Sequence, residues 1–338
     1  MTLIAGLVLV LLAGILQGSF VLPMTLTRHW KWEHNWAMFS LLGMLGFNWL
    51  IASQVLPDLG AAYRNTPTGD LEVLLLFGAL WGAGAILFGM GMERLGMALG
   101  YPIIMGLILS LGALIPLLIL NPSGVVSPTG LLLLIGTAIT IVGIVACAQA
   151  AGMKQAAPEA KEKPGAGGQA AGLTIAVFAG ALSCLPNVGM NYAGNLKAAA
   201  IKLGAAESMA GNAAWALLFT AGFVVNAAYC LALMIKGRNF SALRLEPGRN
   251  LALIGCMGLM WIGSFYLYGM GAARMGRWGG ILGWPLFISL AILVGNLWGL
   301  RRGEWTGAPA AARRRLNAGL LLLLLAVICF GLSSAAKS

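Results

Sequence analysis

One stretch occurs twice in the chain, and this repetition decides the fold. The first copy reads Trp81-Gly-Ala-Gly-Ala-Ile-Leu-Phe-Gly-Met-Gly-Met-Glu-Arg-Leu-Gly96, and the second reads Trp261-Ile-Gly-Ser-Phe-Tyr-Leu-Tyr-Gly-Met-Gly-Ala-Ala-Arg-Met-Gly276. Trp, Gly-Met-Gly, Arg and Gly recur at an offset of 180, and Leu-Gly-aromatic-Pro follows in both copies at an offset of 183. Composition alone rarely produces Trp, Arg and Pro in the same order, so we interpret the stretch as an internal duplication.

The composition is that of a membrane protein. Hydrophobic residues make up 59% of the 338 residues and charged residues 9%, against roughly 45–50% and 25% in soluble domains. The first apolar run lacks a basic start and a small-residue cleavage site, so we expect a retained helix and not a signal peptide. The apolar runs approach the ~20 residues that cross a bilayer as a helix. We predict ten spans, at roughly 3–22, 36–56, 71–92, 97–120, 129–150, 171–193, 206–235, 250–272, 279–300 and 316–335.

The basic residues predict the orientation of these spans. The net charge is +11, and fifteen Lys and Arg residues lie in the loops after odd-numbered spans, against six on the other side. Basic loops stay in the cytoplasm, so we expect both termini on the outer, periplasmic side of a bacterial-type inner membrane. Because the positive charge is spread over short loops, it indicates a lipid bilayer and not a nucleic-acid partner.

A polar segment divides the chain into two halves. Residues 153–169 are rich in Pro, Gly, Ala and charge, as in a flexible cytoplasmic linker. The flanking repeats, 1–152 and 170–338, each contain five predicted spans, and a weaker echo relates Ala13-Gly14 to Ala179-Gly180. An odd number of spans makes the halves enter from opposite sides, which predicts an inverted repeat. The predicted fold class is an all-α integral membrane protein with two inverted five-helix repeats.

Two prolines occupy matching positions in spans 4 and 9. Pro102 and Pro285 each remove a backbone donor. Interrupted helices in corresponding positions are typical of transporter substrate sites. Two ordinary proline kinks are the alternative interpretation.

Span 6 carries amide and hydroxyl groups at four-residue spacing. Ser183, Asn187, Asn191 and Asn195 would share one face of a continuous helix, and Gln17 lies opposite Ser183 in the repeat register. Amides both donate and accept hydrogen bonds, which suits a neutral polyhydroxylated ligand. The alternative is that they join helices to one another.

Aromatic residues cluster in the duplicated hairpins, at Trp81, Tyr101, Trp261, Tyr266 and Trp284. Their faces can pack on the C–H faces of a sugar while their polar edges form hydrogen bonds. An interfacial belt or helix packing would explain them as well. For the three tryptophans before and within span 2 we expect a belt; these are Trp30, Trp32 and Trp36.

Acidic residues are absent from the middle of the predicted spans. Glu33 and Glu93 lie at cytoplasmic span ends, and with His29 or His34 they are the candidates for a proton-coupling group. Solvated interfacial charge is the alternative for each, and Glu304 is expected to be solvated. The five cysteines stand alone in apolar runs, so we expect neither a metal site nor a cofactor.

Four segments resemble the L-rhamnose–proton symporters of the drug/metabolite transporter superfamily. They are Gln17-Gly-Ser-Phe-Val-Leu-Pro-Met24, Lys31-Trp-Glu33, Phe77-Gly-Ala-Leu-Trp-Gly-Ala-Gly84 and Leu95-Gly-Met-Ala-Leu-Gly100. Ten spans with a central linker extend the likeness along the chain. The resemblance implies a drug/metabolite-transporter-like fold and sugar uptake driven by protons, with Glu33 inside a matching segment; Glu93 has no place in the family pattern.

Two transport hypotheses follow. The first is proton-coupled import of L-rhamnose or a related 6-deoxyhexose by alternating access between the two halves. The second is export of drugs or metabolites on the same fold, and the amide groups of span 6 favour the first. Because the chain has no HExxH, nucleophile elbow or phosphate loop, we do not expect an enzyme. The sequence leaves the oligomeric state undefined.

Overall fold

The structure is a computed structural model that describes residues 2–120, 122–155, 166–276 and 283–335. Within these ranges the regular structure is helical, with no strand. Seven of the described helices are long and apolar enough to cross a membrane, and three shorter apolar helices lie at Leu3–Ser19, Ala170–Ser183 and Leu286–Arg301. The prediction of a multi-pass membrane protein is therefore confirmed. Most of the predicted linker, residues 156–165, lies outside the described residues.

Fifteen α-helices lie in the described ranges, and short 3-10 turns join some of them. The second predicted span also contains a π-helical segment, Ser40–Phe47. In chain order the helices are α1 (Thr2–Ser19), α2 (Trp32–Phe39), α3 (Asn48–Val55), α4 (Leu59–Arg64), α5 (Thr68–Leu95), α6 (Met97–Leu120), α7 (Pro128–Gln155), α8 (Ala166–Ser183), α9 (Leu185–Gly189), α10 (Gly194–Lys202), α11 (Glu207–Ala210), α12 (Asn212–Gly237), α13 (Pro247–Arg274), α14 (Trp284–Arg301) and α15 (Ala310–Ala335).

The chain forms two compact units, and each unit takes segments from both sides of the linker. The first unit comprises Met1–Ser19, Leu87–Cys184 and Met270–Ser338. The second comprises Phe20–Ile86 and Leu185–Gly269. Helices α5 and α13 therefore each contribute residues to both units. These two helices are the ones that carry the duplicated stretch.

In the first unit, α7 and α15 pack side by side in opposite directions. Near one end the Ser333 hydroxyl donates a 3.1 Å hydrogen bond to the Thr129 carbonyl. Near the other end Arg315 Nε donates a 2.9 Å hydrogen bond to Gln149 Oε1. In the same unit α1 packs on α14, and α6 packs on α7, α8 and α14.

One close helix contact occurs twice in this unit, at positions related by the sequence offsets. A Cβ placed on Gly14 would lie 2.8 Å from Leu290 Cβ, and one placed on Gly180 would lie 2.5 Å from Leu107 Cβ. Gly14 and Gly180 are 166 residues apart, as in the weaker echo, and Leu107 and Leu290 are 183 apart, as in the proline segments. Contact α1–α14 therefore has the same residue pairing as contact α8–α6. Both require glycine because any side chain there would overlap the facing leucine.

The second unit has a related pair of glycine contacts. A Cβ on Gly78 of α5 would lie 2.3 Å from the Leu218 carbonyl oxygen of α12. A Cβ on Gly258 of α13 would lie 3.2 Å from Gly43 Cα in the π-helical segment. Gly78 and Gly258 are 180 residues apart. These glycines lie three residues before the two copies of the duplicated stretch, so the same offset extends to a second pair of close helix contacts.

Glu304 caps the first turn of α6, which corrects the expectation of a solvated side chain. Its Oε1 accepts from the Met97 backbone N–H and its Oε2 from that of Ala98, both at 2.9 Å. These amides have no partner within the helix, and a carboxylate also interacts favourably with the positive end of the helix dipole. Gly96 precedes this turn with φ +76 and leaves no room for a side chain, since a Cβ would lie 2.5 Å from Glu304 Oε2. The segment Leu95–Gly100 is therefore a helix start built around a distant carboxylate.

Pro102 does not interrupt its helix, which corrects the expectation for span 4, whereas residues 277–282 of the segment before Pro285 lie outside the described residues. Pro285 lies at the first turn of α14, and Pro102 lies five residues after the first residue of α6. At Pro285 the missing N–H is tolerated because the first backbone N–H groups of a helix lack helical acceptors. At Pro102 the missing N–H leaves the Ala98 carbonyl without its helical donor, and Asn296 Nδ2 of α14 donates to that carbonyl at 3.1 Å. The proline thus supports an interhelical hydrogen bond.

Candidate functional site

An aromatic cluster in the second unit is built around the duplicated tryptophans. The rings of Trp81 and Trp261 stack with centroids 5.9 Å apart and planes 17° from parallel. Phe219 of α12 contacts both rings, with its centroid 4.9 Å from that of Trp81 and 4.8 Å from that of Trp261. Phe39 and Phe265 extend the cluster through edge contacts with Trp261 at 5.6 Å and 5.7 Å. Equivalent residues of the two sequence halves therefore meet face to face, and both tryptophans are buried.

Tyr266 follows this cluster on α13 and has an unusual hydroxyl. The side chain is half-buried, but its oxygen is shielded from solvent and has no hydrogen-bond partner among the described residues. A buried donor without a partner costs free energy, so such groups often mark a ligand site. Of the predicted substrate residues, Tyr266 has the chemistry that most clearly requires a partner.

Asn226 joins three helices beside the aromatic cluster. Its Oδ1 accepts from Trp36 Nε1 at 2.7 Å, and its Nδ2 donates to the carbonyls of Gly82 and Gly222 at 2.9 Å and 2.7 Å. Trp36 is 1% exposed and stacks on Trp32 at 5.4 Å. The prediction that Trp36 belongs to an interfacial belt is therefore wrong, because its indole N–H is used inside the helix packing.

The amide series of span 6 does not follow one continuous helix, which corrects that expectation. Helix α8 ends at Ser183, a turn follows, and α9 begins at Leu185 in the second unit. Asn191 is exposed, and its Nδ2 donates to the Val188 carbonyl at 3.2 Å. Asn195 Nδ2 donates to Asp70 Oδ2 at 2.8 Å. The side chain of Asn187 lies outside the described part of the chain.

The remaining predicted substrate residues belong to the first unit. Tyr101 is fully buried, and its hydroxyl donates a 2.7 Å hydrogen bond to the Gln17 backbone carbonyl. Gln17 itself is 5% exposed and Ser183 is half-buried. Trp284 contacts Phe287 with ring centroids 5.3 Å apart. The predicted residues are thus divided, with Gln17, Ser183, Tyr101 and Trp284 in one unit and Trp81, Asn187, Asn191, Trp261 and Tyr266 in the other.

Glu33 belongs to a polar network in the second unit. Asn239, which follows α12, donates from Nδ2 to Glu33 Oε1 at 2.6 Å, while Asn239 Oδ1 is buried without a partner among the described residues. By contrast, Glu93 lies near the end of α5 and is exposed. The structure therefore distinguishes the two predicted carboxylates by their surroundings.

His34 is fixed in one tautomer by the same network. Its Nδ1 accepts from the Lys31 backbone N–H at 3.0 Å, so the ring proton lies on Nε2, which donates to the Asn239 carbonyl at 3.0 Å. Histidine is neutral when one ring nitrogen accepts and the other donates. A second proton at Nδ1 would oppose the Lys31 N–H and break the cap of α2. His34 therefore serves as a structural link between α2 and Asn239.

A second link holds the segment before α2 against the start of α13. The Arg28 backbone N–H donates to Asn250 Oδ1 at 3.1 Å, and Asn250 Nδ2 donates to the Arg28 carbonyl at 2.8 Å. Glu246 lies within 4 Å of Arg28, His29 and Arg249, in contacts of 3.9, 3.5 and 3.6 Å. Sequence reasoning missed Asn239 and Asn250, since their partners lie more than 200 residues away and the loop showed only a surplus of basic charge.

Apolar helices long enough to span a membrane, packed closely through glycines, define an integral membrane protein, and a partly buried polar network surrounds one of its carboxylates. The sequence matches the L-rhamnose-proton symport protein family over residues 1–336, and the chain belongs to this family. It is 29% identical over 333 residues to the L-rhamnose-proton symporter of Klebsiella pneumoniae strain 342, covering 96% of each chain. Symporters of Cronobacter sakazakii and Salmonella paratyphi B are 28% identical with the same coverage. No solved structure matches the chain.

Proposed function

We propose that this protein imports L-rhamnose or a related 6-deoxyhexose together with protons across a bacterial inner membrane. The observation that carries the proposal is membership of the symporter family over nearly the whole chain. Relatives named as L-rhamnose-proton symporters cover 96% of it. The substrates are the sugar and the proton, and no cofactor takes part.

Alternating access between two inverted repeats of five spans, on a drug/metabolite-transporter-like fold, is the proposed mechanism. The support comes from contacts that occur in related pairs. Gly14 meets Leu290 as Gly180 meets Leu107, and Trp81 stacks on its own counterpart Trp261. Two-fold symmetry within each unit would account for these pairs, because exchanged partners would form equivalent contacts and residues near an axis would meet their own copies. Inverted repeats of this kind allow the two packings that alternating access needs.

The sugar site is proposed to include the stacked tryptophans and the Tyr266 hydroxyl in the second unit. Indole rings offer apolar faces to the C–H groups of a sugar. The Tyr266 hydroxyl would gain in a sugar hydroxyl the partner that it lacks. Asn187 and Asn191 remain proposed ligands of the second unit. The proposed ligands of the first unit are Gln17, Ser183, Tyr101 and Trp284.

Glu33 is proposed to take up the transported proton, and Asn239 to respond to it. In the ionised state Glu33 accepts from Asn239 Nδ2. A protonated Glu33 would itself donate a hydrogen bond, and Asn239 Oδ1 could accept it once the amide turns over. The Asn239 backbone carbonyl also accepts a hydrogen bond from His34 of α2. A change at Asn239 on protonation of Glu33 would therefore alter the contact between α2 and the end of α12. Other charged groups on the neighbouring loop are Arg28, His29, Glu246 and Arg249.

Vesicle transport with matched variants tests this function. Wild-type protein should accumulate L-rhamnose when the outside is acidic and should exchange it between equal pools. We expect Glu33→Gln to abolish accumulation but retain exchange, since a glutamine cannot bind and release a proton. Glu93→Gln, which removes an exposed carboxylate, is the control and should accumulate normally.

Each other outcome assigns the role elsewhere. Loss of accumulation in Glu93→Gln alone would transfer the proton site to Glu93. Accumulation by both variants would leave His29 as the next candidate or exclude the proton as the driving ion. If hydrophobic cations and no sugar stabilised the purified protein, the drug exporter hypothesis would replace sugar import.

Both termini are proposed to face the periplasm, from the surplus of basic residues in odd-numbered loops. The termini can be located by fusing a reporter that is active only in the cytoplasm to Ser338. A silent fusion is expected, and a bright one would reverse the orientation.

A further inference from the structure

A groove in the first unit lies where the end of α7 meets the start of α15. It is an open groove of about 730 Å³, lined mainly by apolar atoms, with Met153 and Ala318 among the lining residues. Arg314 and Arg315 also line it. This combination of an apolar floor and two guanidinium groups is unlike a site for a neutral sugar.

Among the residues that the structure describes, no acidic side chain forms a salt bridge with either arginine. Arg315 donates to Gln149 Oε1, a neutral acceptor, and Arg314 is exposed. Nearby basic groups have other roles, since Lys154 Nζ donates to the Glu304 carbonyl at 2.5 Å and Arg313 Nη2 to the Trp305 carbonyl at 3.1 Å. The groove thus presents a positive charge that calls for an anion.

Below the groove, exposed aliphatic side chains continue along both helices. Val145 lies one turn from Gln149 on α7 and is 48% exposed, while Leu321 lies three residues after Ala318 on α15 and is 66% exposed. Leu325 continues this face at 46% exposure. Helical spacing places these residues on the faces that carry the groove residues. An apolar surface about two turns long therefore begins where the arginines end.

We propose that this groove binds one anionic phospholipid. Its phosphate would lie between Arg314 and Arg315, whose guanidinium groups match phosphate oxygens in pairs. Its acyl chains would lie along the aliphatic face of α7 and α15. Basic grooves between membrane helices suit anionic headgroups, each arginine adding attraction near the membrane surface. A second copy of this chain is a less suitable occupant of the groove. In a dimer with its two-fold axis along the membrane normal, the arginine pairs of both chains would lie at the same membrane surface and repel each other.

Native mass spectrometry and lipid competition test the proposal on the full chain. Protein in neutral detergent is titrated with phosphatidylglycerol or phosphatidylcholine, which differ in headgroup charge. We expect one molecule of phosphatidylglycerol to bind about tenfold or more tightly than phosphatidylcholine. Arg314→Gln with Arg315→Gln should remove this preference, and Arg314→Lys with Arg315→Lys should restore part of it, since lysine keeps the charge but not the paired geometry.

Arg301→Gln with Arg302→Gln is the matched control, because it removes the same charge from the C-terminal end of α14 and should leave the preference intact. Ala318→Trp should weaken lipid binding without a change in charge, by filling the groove. Equal binding of the two lipids by wild-type protein, or unchanged preference in the double glutamine variant, would overturn the proposal. A stable dimer formed through this face regardless of lipid would assign the groove to a second copy instead.

Discussion

Removing the Glu304 carboxylate should destabilise the protein, because this carboxylate caps the start of α6. In Glu304→Ala, two backbone N–H groups at the start of α6 lose charged acceptors at 2.9 Å. A hydrogen bond to a charged group contributes about 1.5–3 kcal/mol, and a helix cap about 0.5–2 kcal/mol. Glu304 is partly exposed, so water replaces part of the loss. We therefore expect a decrease of about 2–3 kcal/mol in the free energy of unfolding.

The measurement is unfolding in mixed micelles by increasing fractions of a denaturing detergent, followed by helical circular dichroism. Glu304→Gln keeps one carbonyl acceptor and loses the charge, so it should lose about half as much stability as Glu304→Ala. Glu72→Ala, at an exposed carboxylate of α5, is the control and should change stability by less than about 0.5 kcal/mol. If Glu304→Ala matched this control, or glutamine proved as damaging as alanine, the capping interpretation would be refuted.

Two further predictions concern the sugar site and the repeated contact. Tyr266→Phe should weaken L-rhamnose binding about tenfold, measured by isothermal titration, because a sugar hydroxyl would lose its partner; unchanged affinity would remove Tyr266 from the site. Gly14→Val and Gly180→Val should each lower the free energy of unfolding by about 1–3 kcal/mol through overpacking. Since Gly14 and Gly180 have equivalent neighbours, a large loss in one variant and none in the other would contradict the proposed two-fold relationship.

The helical membrane architecture was predictable because it depends on local composition. Apolar runs of about 20 residues predict helices in a bilayer without knowledge of their neighbours. The internal repeats carried more information, since the offset of 166 in the weaker echo and the offset of 183 after the duplicated stretch match the pairing of Gly14 with Leu290 and of Gly180 with Leu107. Recurring residues of low natural frequency, such as Trp81, carried that information.

The candidate site was less predictable because its partners are distant in sequence. Glu33 and Asn239 are separated by 206 residues, and Glu304 and Met97 by 207. The prediction that the amides of span 6 share one helical face was wrong for a local reason. It required an unbroken helix, whereas α8 and α9 are separate and Pro186 lies just after the break between them. A proline inside an apolar run is a known helix-ending signal, and it was available in the sequence.

The hydrogen bond from Asn296 to the Ala98 carbonyl has an evolutionary consequence. The carbonyl is available because Pro102 cannot donate to it. If another residue replaced Pro102, its N–H would compete for the same oxygen, and the buried Asn296 amide would lose its acceptor. Replacing Asn296 alone would instead leave the Ala98 carbonyl unsatisfied. Positions 102 and 296 should therefore covary: homologous chains that change one should carry a compensating change at the other.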